Sequence, residues 1–138
     1  MIRSNTRGVY ADDIDGYVGD RFWRVRRLAD EIETRRRDLG KTSGFERQYP
    51  KVVSRYFGGM ATHLRNLRRV LKAGGRAVYI VGDQASFFRV LIPTGEILAD
   101  IAEGYGFRVE SLEIVRQRTA TATGNKLNEN ALILEYQP

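Results

Sequence analysis

Residues 69 to 83 read RVLKAGGRAVYIVGD, and this stretch limits the folds open to the chain more than any other. A basic helix end meets Gly74 and Gly75, a nearly unbroken apolar segment comes next, and the segment leaves on Gly82-Asp83. AVYIV (77–81) carries no polar residue at alternate positions, which predicts a strand covered on both faces, as in parallel sheets. Two glycines let a long helix turn directly into such a central strand. Gly82-Asp83 then sits at the strand's carboxyl end, where open α/β sheets place their ligands.

The flanking periodicities extend this frame. Residues 1 to 20 are rich in Gly, Asp and Asn without a clear period and read as a loop or arm. From Asp20, a suitable N-cap, Phe22, Val25, Leu28, Ala29 and Ile32 recur at helical spacing up to a stop at Gly40. After the breaker KTSG, a longer stripe of Val53, Tyr56, Phe57, Met60, Leu64, Leu67 and Leu71 predicts a helix ending on Gly74 as a left-handed C-cap. Pro93 and Thr94 open a further helix whose Ile97, Leu98, Ile101 and Tyr105 face one way before Gly106. FRVESLEIVRQR (107–118) alternates, and ALILEY (131–136) is a last apolar strand after the polar loop TATGNKLNEN.

Helix, strand, helix, strand, loop, strand is α/β order. It predicts a partial Rossmann-like sheet with one right-handed parallel crossover, a C-terminal antiparallel hairpin and long N-terminal helices. The boundaries expected are an arm and helix over 1–45 and an α/β part over 46–138, within one domain.

Composition narrows the chemistry. The 138 residues include no cysteine, which excludes a disulfide framework, a Cys-ligated zinc site and a thiol nucleophile, and makes a reducing cytoplasm the unforced setting. No apolar run approaches the ~20 residues of a membrane span, and MIRSNTRGVY lacks a signal peptide's apolar core, so a soluble protein without a membrane partner is expected. Lys and Arg number 23 against 17 Asp and Glu, and the excess is mostly Arg, the residue suited to bidentate phosphate contact. In the first helix, however, Arg24, Arg26, Arg27, Arg35, Arg36 and Arg37 are interleaved with Asp30, Glu31, Glu33 and Asp38, which favours intrahelical pairing over a phosphate-binding face. Asp12, Asp13, Asp15 and Gly16 have a calcium-loop look, but Ala11 and Phe22 stand where that loop needs Asp and Glu, so a solvated acidic loop is the better reading. His63 is the sole histidine and has no partner for a metal pair or a triad.

YFGGMATHLRNLRRVLKAGGRAVYIVGD, then IPTGEILADIAEGYGFRVESLEIVRQR, then NENALILEY resembles the C-terminal half of a class I S-adenosylmethionine-dependent methyltransferase. It is most similar to the DNA amino-methyltransferases, which modify exocyclic amines of adenine or cytosine. In that family an RVLKPGG segment, here with Ala73 for the proline, precedes the fifth strand, Gly-Phe after a helix starts the sixth, and an antiparallel seventh strand inserts beside the fifth. The resemblance covers about residues 50 to 137. It implies a substrate pocket at Gly82 and Asp83, and nucleic-acid contacts from Arg116, Arg118 and Lys126 on the hairpin arm. In that setting the Asp83 carboxylate accepts a bond from the target amine or orients a neighbouring side chain; otherwise it is a turn residue capping its own backbone.

The chain departs from the family in two motifs. No glycine cluster follows a strand to hold the cofactor's methionine moiety: Gly104-Tyr105-Gly106 precedes a strand, and Val109 stands in the third glycine's place. The catalytic Asp/Asn/Ser-Pro-Pro-Tyr is missing too, the only prolines being Pro50, Pro93 and Pro138. The resemblance therefore implies a DNA methyltransferase fragment that holds no catalytic residue, binds S-adenosylmethionine weakly or not at all, and pairs with a complementary half. An RNA or small-molecule methyltransferase fragment and a non-catalytic α/β nucleic-acid-binding module are the alternatives. An apolar central strand without its neighbour further predicts a homo-oligomer.

Overall fold

In the computed structural model, residues 18–121 and 123–138 are described, and the chain divides into two compact units, Met1–His63 and Leu64–Pro138. The expected arm up to residue 17, with Asp12, Asp13, Asp15 and Gly16, lies outside the described residues. Helix α1 spans Trp23–Asp38 and buries Val25, Ala29 and Ile32, the i, i+4, i+7 stripe of its sequence. The expected cap at Asp20 is not made. Phe22 takes the N-cap position without a side-chain bond, and Asp20 Oδ1 instead accepts from Ser54 Oγ at 2.8 Å. A turn closed by Phe22 N–H donating to the Gly19 carbonyl at 3.0 Å separates Asp20 from the helix, so its carboxylate is free to serve a distant residue.

The arginines at the end of α1 pair within the helix, where cations also suit the helix dipole. Arg36 Nε donates to Glu33 Oε2 at 2.9 Å and Arg37 Nε to Glu33 Oε1 at 3.1 Å. The Arg36 hydrogen bonds hold the Glu33 carboxyl down to about 2 from its ordinary 4.5, so this pairing supports the helix above pH 4.5 and is lost as pH falls through about 2.

Helix α2 spans Gly44–Leu67 and opens on a Ser43 side-chain cap that the breaker KTSG conceals. Glu46 N–H donates to Ser43 Oγ at 3.3 Å, and Arg47 N–H to the Ser43 carbonyl at 3.1 Å. Val53, Phe57, Met60 and Leu64 are buried as their spacing predicts. The helix stops at Leu67, short of the expected Leu71-Gly74 end. Val70 N–H and Leu71 N–H both return to the Leu67 carbonyl, at 3.0 and 3.1 Å, tightening the last turn. Gly74 does take the left-handed region (φ 79°), yet its N–H donates to the Tyr136 carbonyl at 2.8 Å and starts the sheet instead of capping the helix.

In the second unit β1 is Arg76–Gly82, α3 is Thr94–Gly104, β2 is Phe107–Thr119 and β3 is Lys126–Tyr136. The sheet order is β1-β3-β2, with both outer strands antiparallel to β3. The expected parallel crossover is not shown as a parallel ladder, since every pairing in this sheet is antiparallel and β3 lies between β1 and β2; the two outer strands run the same way, and α3 lies in the connection between them. The C-terminal hairpin forms as expected but is longer, since KLNEN of the expected loop continues β3, KLNE pairing with RQRT of β2 and Asn130 with Ile114. Leu127 and Asn130 are buried there, which is why that stretch leaves the loop.

Helix α3 packs on this sheet, burying Ile97, Leu98, Ile101 and Ala102, and Leu132 and Leu134 of β3 are fully buried. β1 departs from the expectation of two covered faces: Val78 and Ile80 are 61% and 59% exposed. No helix among the described residues is long and apolar enough to cross a membrane.

Within the first unit, Gly19 lies against the backbone of α2. A Cβ added there would meet the Ser54 carbonyl oxygen at 2.0 Å and the Gly58 nitrogen at 3.2 Å. Backbone cannot give way as a flexible side chain does, so Gly19→Ala is expected to lower stability by about 1–3 kcal/mol in urea unfolding. Ser54→Ala, which removes only the bond to Asp20, is expected to cost about 1 kcal/mol.

Candidate nucleic-acid interface

The carboxyl end of β1 gathers the residues with functional potential. Gly82, the last residue of β1, lies opposite Glu129 of β3, which in turn lies opposite Arg116 of β2. A hollow of about 410 Å³ opens here, lined by Ile80, Val81, Gly82, Arg116, Arg118 and Glu129. Arg118 Nη2 donates to the Asp83 carbonyl at 3.4 Å, tying the arm back to the strand end.

Two irregularities of β2 decide which side chains share this face. Val109 lies opposite Leu134, and Ser111 opposite Ile133, so Glu110 is an extra residue. Ile114 lies opposite Asn130, and Arg116 opposite Glu129, so Val115 is a second. Each bulge reverses the in-out order of the residues beyond it. The first turns Leu112 to the side of buried Leu132; the second brings Arg116 to the side of Gly82 and Glu129.

Of the residues expected to form the site, Gly82, Arg116 and Arg118 come together around the hollow. Lys126 does not line it: it closes the arm opposite Thr119 and donates from Nζ to Thr119 Oγ1 at 3.1 Å. Asp83 is adjacent, but its side chain has another task. Asp83 N–H donates to the Asn128 carbonyl at 2.8 Å and Asn128 N–H donates back to Asp83 Oδ2 at 3.2 Å. The carboxylate thus clips β1 to β3 across the sheet, which is neither a cap on its own turn nor an open acceptor. Arg116 and Arg118 form no ion pair among the described residues, so their charges are available to an anion.

The connection after β1 holds a feature that sequence reasoning passed over. Gln84 and Ile92 form a bridge, with Ile92 N–H donating to the Gln84 carbonyl at 2.7 Å. Val90 N–H donates to the Phe87 carbonyl at 3.1 Å across a turn in which Phe88 (φ 53°) and Arg89 (φ 62°) are both left-handed. Such turns ordinarily carry Asn-Gly, and nothing in ASFFRV signals one. The strained turn presents an exposed arginine beyond the strand end.

The fit of S-adenosylmethionine, the cofactor that the resemblance implies, can be tested on these residues. β1 is the one strand among those described that leads into a helix, and its connection, residues 83–93, contains no glycine. A cradle of close backbone amides opening a helix is therefore not made here, and the described residues do not fit the group. Among the described residues no cluster of His, Asp or Glu suits a metal ion, and His63 is exposed on α2. Comparison with protein-family models, curated proteins and solved structures finds no match to this chain.

Burial pushes the Asp83 carboxyl above its ordinary 3.8; the Asn128 N–H pulls it down, Glu96 raises it by repulsion, and the Thr94 N–H lowers it. An acid whose folded value is raised binds its proton more tightly when folded, so stability is lost as pH rises from the ordinary value through the raised one. The stability difference between the natural chain and Asp83→Asn is expected to move against the natural chain over that window. Ordinary carboxyls titrate at about 4, so urea midpoints of both chains, measured from about pH 3 to about pH 7, check it.

Proposed function

We propose that Leu64–Pro138 is the substrate-side part of a class I methyltransferase-type sheet, related to enzymes that methylate exocyclic amines of adenine or cytosine in DNA, and that Arg116 and Arg118 hold the DNA backbone. The observation that carries the reading is the hollow at the end of β1, where two arginines without ion partners among the described residues stand beside Gly82. The strand order supports it as well, because the last strand inserts antiparallel beside β1, as the resemblance implies. In this reading α3 is the right-handed crossover between β1 and β2, and the setting is cytoplasmic.

The chemistry assigned to the chain is recognition. Arg presents a planar fork of donors that matches two phosphate oxygens, and a duplex offers such oxygens in a row. Two arginines at alternate positions of one strand are about 6.6 Å apart along it, close to the spacing of successive phosphates. Glu129, on the same face, opposes close approach by an anion at the floor, so contact is expected at the rim. Methyl transfer is assigned to a complementary half carrying the glycine loop and Pro-Pro-Tyr, because the residues described here do not make the cofactor's cradle.

Fluorescence anisotropy with a labelled duplex, repeated over a salt series, tests the reading. Log affinity is expected to fall linearly with log salt, and replacing Arg116 and Arg118 by Ala to lower that slope by about 2, roughly 0.9 for each phosphate no longer neutralised. Lys126→Ala is expected to change it less, since Lys126 does not line the hollow. Unchanged binding by the double variant, or a sequence-selective complex indifferent to salt, would overturn the assignment.

A further inference from the structure

Among the described residues, the outer edge of β1 has no strand against it in the three-stranded sheet. Antiparallel pairs alternate, one residue exchanging both backbone bonds with its neighbour and the next directing both groups away. Tyr136 N–H donates to the Gly75 carbonyl and Asp83 N–H to the Asn128 carbonyl, each at 2.8 Å, so the odd-numbered residues face β3. Arg76, Val78, Ile80 and Gly82 therefore direct their N–H and C=O groups to the open side. Nothing blunts this edge: Ala77 to Val81 hold no Pro, no charge and no bulge. The side chains of Val78 and Ile80 are 61% and 59% exposed.

We propose that this edge is the interface of a two-fold dimer in which β1 pairs antiparallel with β1 of a second copy, extending the sheet to six strands. The edge is complementary to itself in one register. Outward residues can meet only outward residues, and the longest overlap that satisfies this is centred on Tyr79. Val78 then lies opposite the partner subunit's Ile80, and Arg76 opposite the partner subunit's Gly82. Both outward groups of all four residues are satisfied, about eight new bonds in all. Two aliphatic pairs stack on one face, where each strand now presents bare Val and Ile. The two Arg76 side chains fall at opposite ends, each against a residue with no side chain, and each already leans over its own sheet to Glu110 at 2.9 Å. No like charges oppose one another, and the symmetry closes after two copies, which limits assembly to a dimer.

Sedimentation velocity and amide hydrogen exchange on the full chain, from micromolar to submillimolar concentration, test the proposal together. The expected result is a monomer–dimer equilibrium in which the amides of Val78 and Ile80 slow by at least about tenfold as the dimer fills, while those of Tyr79 and Val81 are protected throughout by β3. Ile80→Pro removes one outward N–H and no bond to β3, and is expected to abolish the dimer with far-UV circular dichroism unchanged. If that variant fails to fold, Val78→Lys, at an exposed position, is expected to have the same effect. A chain that stays monomeric at submillimolar concentration overturns the proposal. So does a dimer whose Val78 and Ile80 amides remain unprotected, or a folded Val78→Lys variant that still dimerises.

Discussion

The second unit depends on the position of one strand. β3 is the ladder partner of both β1 and β2, and Leu132 and Leu134, beneath α3, are its two fully buried side chains. Remove it and neither outer strand has a hydrogen-bonding neighbour among the described residues. The bonds that frame it close the sheet at both ends: Gly74 N–H to the Tyr136 carbonyl at one, and the reciprocal Asp83–Asn128 pair at the other. The residues joined are far apart in sequence, so closing the sheet works against a loop entropy that grows only slowly with length. That cost is offset by a local hairpin with eleven paired positions, on which β1 packs as the third strand.

The same strand determines where the functional residues go. A strand places alternate side chains on opposite faces, and one inserted residue reverses everything after it. β2 uses this twice. Its first segment buries Phe107 and directs Val109 to the same side, its middle directs Leu112 to that side after the bulge at Glu110, and the bulge at Val115 sends Arg116 to the other. Without the second bulge Arg116 would lie on the α3 side with Asn128 and away from Gly82. The arm beyond carries Arg118 against the Asp83 carbonyl, so the clip that holds β1 to β3 also steadies a cation.

Charge is handled differently in the two units. In the first, Glu33 binds Arg36 and Arg37 within a helix turn, so part of the basic run is neutralised locally. In the second, Arg76 pairs with Glu110 and Arg108 with Glu135 at the amino end of β1, while Arg116 and Arg118 at its carboxyl end form no ion pair among the described residues. The sheet face opposite α3 thus runs from paired charges, past exposed Val78 and Ile80, to these two arginines. Such an apolar strip between two polar ends is what a partner strand or a further layer would cover.

Helical stripes were legible in the sequence because a 3.6-residue period survives any tertiary context: Val25, Ala29 and Ile32, or Ile97, Leu98 and Ile101, are buried where their spacing puts them. Strands were legible from their apolar runs and alternation, Gly40 and Gly106 as helix stops, and Gly74 as a left-handed position. Ends were less so, because Asp20 and Gly74 spend their polar groups on Ser54 and Tyr136, partners that no local pattern reveals. The left-handed Phe88-Arg89 turn was hidden, since residues that do not favour that conformation adopt it only when the Gln84–Ile92 bridge imposes it. Gly82, Arg116 and Arg118 could be named from the sequence, but their meeting around one hollow, and the exclusion of Lys126 from it, required the structure. Periodicity acts between neighbours in the chain and is therefore determined by the sequence alone; register, bulges and strand order depend on bonds between residues tens of positions apart, and those only the tertiary structure decides.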